Sequence, residues 1–508
     1  MPRHPLATDT LPRWKPSTAY LAGDVLVHPD GNIKVSLTNH TSSSTVPGVL
    51  NWADPPALAA LASLRARDLA RQRAITSRQY PRRAVPVVLP AGFGWAPGVP
   101  IFYNGARYFT TYDVAVRRNT GGTKRYVNTA TGLNTNDGLT EATAYLSLNQ
   151  AYSVAVDGDE IVVVNKGVSY RNQSNITGLN ITKSVNLVAK YPGETILSSA
   201  DKLTYTAHAT IPGVWQAART NVLQVVDLLV DPEGYLYPKV ANEAALGAAA
   251  PGSWASDATT LFVKPVDGIA PDNARILALL DAAMFNFVGD ARTSAQRIYL
   301  EGVWIMGGQN GVKVTNTSAF RTQFAAKDSK FLWSGWTTAD ALPILGNVDC
   351  YTQRCTAANS GKDGFNYHAT GGFIPNFVEI DPNGHSNGLY AAGGDYTMNA
   401  STAHDGVKGL RIGGKYHHTM GTPVADVNAG TQVLMYSCDA WDSLAPIGSG
   451  YNAAIAAQQS GAELWLYGCR AWGAELSLYC VTGATMHIIE TEYDTVNGAG
   501  TLDIVSAL

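Results

Sequence analysis

The window 363–418 holds the densest set of reactive side chains in the chain. It contains the runs KDGFNYH (362–368), FVEIDPNGHSNG (377–388) and GDYTMNASTAHDGVKGLRIGGKYHH (394–418). Five of the ten histidines fall within it. Carboxyls in such a cluster suit glycosidic bond hydrolysis. One is kept protonated by apolar walls or a neighbouring carboxylate and acts as the acid; the other stays charged and activates water or attacks directly. Asp363, Glu379, Asp381 and Asp405 are the candidates for these roles. His368, His385, His404 and Arg411, with Tyr367, are candidates for orienting the substrate or moving protons. An elimination needs a different set: a base, a cation to hold a uronate carboxylate, and a Tyr or His acid. Tyr367, His368, His404 and Arg411 would supply it. Two plainer readings stand beside these. Asp-Gly is a common turn signal, so Asp363 and Asp405 read equally well as corner residues. Metal ligation uses the same residue types, but no tight HxH or HExxH spacing is present and no metal is assigned.

Residues this far apart in sequence can meet only if the fold stacks them. Asp363, then Asp381 and His385, then His404 and Asp405 recur at steps of roughly 20, near the lower end of solenoid repeats. Equivalent positions on successive coils lie about 4.8 Å apart. A solenoid also accommodates 508 residues, because its core grows lengthwise rather than outward. Charged residues make up only 15% and there are 49 glycines, as expected where short strands alternate with tight corners. Apolar runs are short and evenly interrupted, as in GVWIMGG (302–308), FVEI (377–380) and ELWLYGC (463–469). Tyr436-Ser437-Cys438-x-Ala440-Trp441 recurs as Tyr467-Gly468-Cys469-x-Ala471-Trp472, a repeat that stacks Cys, Ala and Trp into ladders or, alternatively, exposes the two tryptophans as a sugar platform. The segment 274–287 is the best remaining candidate for an amphipathic helix.

The order of signals in 126–170 is more specific. The turn Asn136-Asp137-Gly138 precedes a helix-like run, and Asp157-Gly158-Asp159 then opens onto Ile161-Val162-Val163-Val164. This stretch resembles the opening rung of right-handed parallel β-helix proteins, the pectate-lyase-like fold of polysaccharide-cutting enzymes and phage tailspikes. DGFNYH and STAHDG look like motifs of phage and prophage tail proteins of this fold, although no Asp-Asp pair or Gly-His-Gly turn of pectinases appears. The resemblance implies an all-β chain whose right-handed single-stranded parallel β-helix runs through 125–508. It also implies a homotrimer on the tail of a phage or phage-like particle, attached to a tail or baseplate protein through its N-terminal region. Its target would be a bacterial surface polysaccharide, which it would hydrolyse. The alternatives are a fibre that only binds the glycan and a polysaccharide lyase, for which calcium is the expected ion.

Residues 1–55 form a separate small unit. Trp14, Ser17-Thr18-Ala19-Tyr20, Gly23-Asp24-Val25 and Trp52 resemble a chitin- or cellulose-binding-type module, which would bind sugar or mount the protein on the virion. Residues 56–124 read as a helical neck followed by a Pro/Gly-rich connector. Asp54-Pro55-Pro56 suits a helix start, Leu58, Leu61, Leu64 and Leu69 recur at near-helical spacing, and a hairpin is expected around Asn104-Gly105. The net charge of −3 gives no electrostatic footprint for nucleic acid. No apolar run approaches the ~18 residues of a membrane span, and the first ten residues lack the apolar core of a signal peptide. Five cysteines do not make a disulfide framework and are expected to be buried thiols.

Overall fold

A computed structural model describes residues 84–505 except 175–178, 282–283, 336–338 and 390–394, together with five short strands in the first 83 residues. The chain divides into two compact units, 1–83 and 84–508. In the first, Ala19–Tyr20 pairs antiparallel with His40–Thr41, and Ile33–Ser36 pairs antiparallel with Val25–Val27 and Trp52–Ala53. The helix expected over 54–79 lies outside the described residues.

The second unit is a right-handed parallel β-helix with three long sheets, one of twelve strands and two of ten. We name them A, B and C in the order in which each coil visits them. Sheet A runs from Lys124–Val127 to Thr501–Val505, sheet B from Gly167–Ser169 to Glu492–Tyr493, and sheet C from Leu179–Ile181 to Val496–Asn497. The corners explain how so irregular a sequence stacks. At the A–B corner one residue per coil takes a left-handed backbone: Asp328, Arg354, Asp381, Gly413, Ser437, Gly468 and Glu490. At the B–C corner the series is Trp333, Asn359, Ser386, His418, Asp442 and Gly473. A single such residue turns a strand sharply while its neighbours stay extended, a conformation uncommon outside glycine.

Alternation along each strand decides what is inside. In sheet A, Ile161, Leu187, Leu300 and Ala326 stack directly on one another within the core, and the same column continues as Thr352, Glu379, Arg411, Met435, Leu466 and Ile488. The outward positions Tyr351, Val378, Leu410, Leu434 and Trp465 are also apolar, because the segment holding Val99, Ile101, Tyr108 and Val114 packs across them. The described part of the connector expected at 80–124 is therefore a strap over sheet A and belongs to the second unit. It contains the expected hairpin, Phe102–Tyr103 against Tyr108–Phe109. The helix Leu148–Val154, capped by the Ser147 hydroxyl accepting from Gln150 N, covers the first coils with Leu148 and Ala151.

Two expectations are corrected. The coil is interrupted between Thr195–Ser198 and Phe285–Val288 by an insertion with a four-stranded and a three-stranded sheet, both antiparallel. The helix expected at 274–287 is instead the strand Ile276–Leu280 within this insertion, followed by the sheet C strand Phe285–Val288. Its run ILALL is buried at every position, and a short continuous apolar run carries no period that separates strand from helix. All five cysteines are buried free thiols.

Phe324 is fully buried in the column Phe324, Cys350, Phe377. Phe324→Ala should lower unfolding stability by about 3–5 kcal/mol, whereas Ile447→Ala, at an 81% exposed position, should change it by less than about 0.5 kcal/mol. Paired denaturant titrations would check both.

Candidate active site

The outer face of sheet C gathers the most reactive side chains. Leu342–Gly346, Phe365–His368 and Ser401–Ala403 lie side by side, with Pro343, Asn366 and Thr402 in register. Because side chains alternate, Asn366 and His368 face outward while Tyr367 faces the core. The strip begins at the B–C corner with Asp340 and Asp363 and ends at the C–A corner with Asp405.

Asp340 and Asp363 share one amide. Asn366 Nδ2 donates to Asp340 Oδ2 at 2.7 Å and to Asp363 Oδ2 at 3.3 Å. Asp340 Oδ1 also accepts from Asp363 N at 3.2 Å, and Asp363 Oδ1 accepts from Asn399 N at 2.7 Å. Asp363 is buried and Asp340 is partly exposed. Burial, then the charge of Asp340, pushes Asp363 well above the usual carboxylate range. Burial also raises Asp340, against the opposing pull of Lys362 and the Asn366 amide. Two carboxyls so close in a poorly solvated site retain a proton between them. Asn366 Oδ1 is buried without a hydrogen-bond partner, an acceptor left open beside the pair.

The far end of the strip is a histidine pair. The rings of His368 and His404 stack with centroids 3.8 Å apart, and His368 Nδ1 lies 3.1 Å from Asp405 Oδ2. Thr402 Oγ1 donates to Ala425 O at 2.6 Å and lies 2.9 Å from His404 Nε2. The Thr402 proton is committed to Ala425, so His404 Nε2 must be the donor in that contact, which fixes the tautomer. Burial, then the neighbouring His368, pushes His404 down to about 3, so its imidazole stays neutral at neutral pH.

Five other sequence candidates lie elsewhere. Glu379, Arg411 and Tyr367 were expected on an exposed groove, but all three are fully buried inside the coil. Strand parity is the reason: Glu379 is in phase with the core residue Phe377, and Arg411 stacks on Glu379 in the same inward column. Asp381 is the left-handed residue of its A–B corner, a full sheet B strand away from the strip. His385 faces outward on sheet B, where its Nε2 is 3.0 Å from Glu233 Oε2 of the insertion. Burial pushes Glu233 up, but the hydrogen bond and charge of His385, with Lys330, outweigh it and hold the carboxyl at about 2. The expected step of roughly 20 residues does not follow the register, since Asn376 pairs with Lys408 and Lys408 with Gln432. The structure thus brings together Asp363, His368, His404 and Asp405, and adds Asp340 and Asn366. Asp340, in TTADALP, carries no motif; only its distance from Asp363 in units of one coil could have singled it out.

The Trp repeat resolves as a ladder. His385, His417, Trp441 and Trp472 stack along sheet B at centroid distances of 5.1, 4.2 and 5.1 Å, with their planes nearly parallel. The faces between successive rings are covered, so within the ladder edges rather than faces turn to solvent. Among the described residues no three His, Cys, Asp or Glu side chains are grouped to hold a metal ion.

No known family and no curated protein matches the chain. Solved structures similar to it include XylC in complex with xylose (12% identity, TM-score 0.45, covering 72% of this chain and 68% of that one). Others are the pectate lyase Pel9A (10%, 0.36, 77% and 80%) and the GH136 lacto-N-biosidase from Eubacterium ramulus (11%, 0.35, 75% and 68%). These likenesses concern the fold, and the parallel β-helix itself is read from the strand pairing.

The raised Asp363 carboxyl has a consequence for stability. The folded protein holds its proton to higher pH than the unfolded chain, so stability is lost as pH rises from the ordinary carboxylate range toward the raised folded value. Asp363→Asn keeps an acceptor for Asn399 N and removes that loss. Its melting temperature should exceed the parent's by a margin that grows between pH 4 and 8, a trend followed by scanning calorimetry; a constant margin would contradict the raised carboxyl.

Proposed function

We propose that the protein is a polysaccharide depolymerase that hydrolyses a bacterial surface glycan, using the outer face of sheet C. The observation that carries this reading is the proton-retaining Asp340–Asp363 pair, hydrogen-bonded through Asn366 and placed two strand residues from His368 and its partner Asp405. Asp340, the more accessible of the pair, protonates the leaving oxygen. Burial raises the Asp340 carboxyl, and Asp363 behind it, raised further, holds a proton that the pair shares. Asp405, ordered by His368, draws the proton from the attacking water.

The lyase alternative loses Arg411 as carboxylate holder and Tyr367 as one possible acid, both inside the coil, and keeps His368 and His404. The resemblance to tailspikes extends the reading to a homotrimer carried on a phage or phage-like tail. Capsule, exopolysaccharide and O-antigen are the substrate classes this implies.

Incubation with purified surface polysaccharides from candidate hosts should yield shortened products without the ultraviolet absorbance of an unsaturated uronate. Asp340→Asn and Asp405→Asn should each reduce turnover by about 10²–10⁴-fold. Parent activity should fall as pH rises through the raised Asp340 pKa, because the acid must be protonated. Full activity in either variant would remove that residue from the mechanism, and binding without cleavage by the parent would favour the non-catalytic fibre. Analytical ultracentrifugation should give three times the 54.0 kDa chain mass; a monomer would remove the tailspike assembly.

A further inference from the structure

Directly beneath the sheet C strip, the apolar core is broken by a closed network of ionic and hydroxyl groups. Arg411 Nη1 and Nη2 donate to Asp426 Oδ2 and Oδ1 at 2.7 and 2.9 Å, and Arg411 Nε donates to Ser401 Oγ at 3.0 Å. Ser401 Oγ and Tyr367 Oη donate to Glu379 Oε1 at 2.8 and 2.9 Å, and Tyr416 Oη donates to Glu379 Oε2 at 2.6 Å. Glu379, Arg411 and Asp426 are fully buried. Burying three ionisable groups is a poor route to stability, since well-packed apolar side chains often serve as well or better. The network's location suggests another role.

Tyr367 and Ser401 sit on the strands that carry the strip and Asp426 on the next strand of sheet C, while Glu379 and Arg411 reach them from sheet A. Tyr367 lies between Asn366 and His368, Ser401 precedes Thr402, and Asp426 follows Ala425, whose carbonyl accepts the Thr402 proton. Asp426 Oδ1 also accepts from Ala403 N at 3.1 Å, which fixes the backbone immediately before His404 and Asp405. Arg411 is held on its other side by the Phe377 ring, 5.0 Å from its guanidinium carbon, and that ring stacks on Tyr367 at 3.9 Å.

We propose that Glu379, Arg411 and Asp426 are positioning residues: their buried network sets the backbone of Phe365–His368 and Ser401–Ala403, and so the spacing between the Asp340–Asp363 pair and the His368–His404–Asp405 group. This rests on reading the sheet C strip as the active site. An apolar interior would hold the coils together but would leave Ala403 N without its inward acceptor and the Thr402–His404 contact without a fixed base.

The test uses the full chain and two variants. Glu379→Gln/Arg411→Met/Asp426→Leu replaces the network with neutral side chains, and Asp426→Asn removes one charge while keeping an oxygen for Ala403 N. ¹⁵N-histidine NMR reports the His404 tautomer and titration, set by His368, Asp405, Lys362 and Thr402 around it. In the parent, His404 should remain neutral with its proton on Nε2 down to acid pH. In both variants the Nε2 preference should be lost and titration should move toward the ordinary histidine range. Turnover should fall by about 10²-fold, the scale of a 1 Å misplacement of catalytic groups, with a smaller change in KM. A folded variant whose His404 behaves as in the parent would overturn the proposal. If the triple variant does not fold, Asp426→Asn decides by the same readout. If the parent cleaves no glycan, the histidine readout still tests the positioning role while the depolymerase reading fails separately.

Discussion

Parallel strands stacked in register constrain everything else in this molecule. Each coil must lay its three strands on those of the coil before it, with backbone groups bonded between neighbours along every sheet. The backbone path is therefore common to all coils, and sequence varies only in what each position projects. One left-handed residue at each of two corners lets coils of different length keep that path. Length differences go into the loops between sheets. The largest is the insertion between Thr195–Ser198 and Phe285–Val288, whose Glu233 reaches back to Lys330 and His385 on sheet B.

Alternation along a strand then sorts reactive groups into two populations. Asn366 and His368 face out and Tyr367 faces in, although all three are adjacent in the chain. The outward set forms a strip ending in carboxyls, with a proton-retaining pair at one corner and a histidine-ordered aspartate at the other. The inward set forms a sealed ionic network with its hydrogen bonds made internally. The two meet on the strands of Tyr367 and Ser401 but do not share solvent. The outward groups are the proposed acid and base, and the buried groups the proposed frame.

The strap over sheet A shows the same economy from the other side. Sheet A is apolar on both faces because core fills one and Val99, Ile101, Tyr108 and Val114 cover the other. That is why its strands read as continuous apolar runs. Sheets B and C leave outward positions for histidine, tryptophan and asparagine, with the sheet B rings stacked into a ladder by the spacing between coils.

The sequence alone determined the coiled architecture, but not the antiparallel insertion that interrupts it. The turn, helix, turn and strand order of 126–170, the short interrupted apolar runs and the Tyr436/Tyr467 repeat, which is one coil step of sheet A, all follow from local rules of corner and alternation. It also showed where reactive side chains concentrate, because composition is countable. It did not tell Glu379, Tyr367 and Arg411 from Asp363, His368, His404 and Asp405, since facing depends on strand phase and a single residue of phase reverses it. Nor did it show Asp340, which meets Asp363 only through the register between coils. That register varies, from Asn376 with Lys408 to Thr485 with Thr501, because loop lengths differ from coil to coil. Only the folded stack, with every strand's hydrogen bonds made at once, decides which carboxyls become neighbours and which are sealed inside.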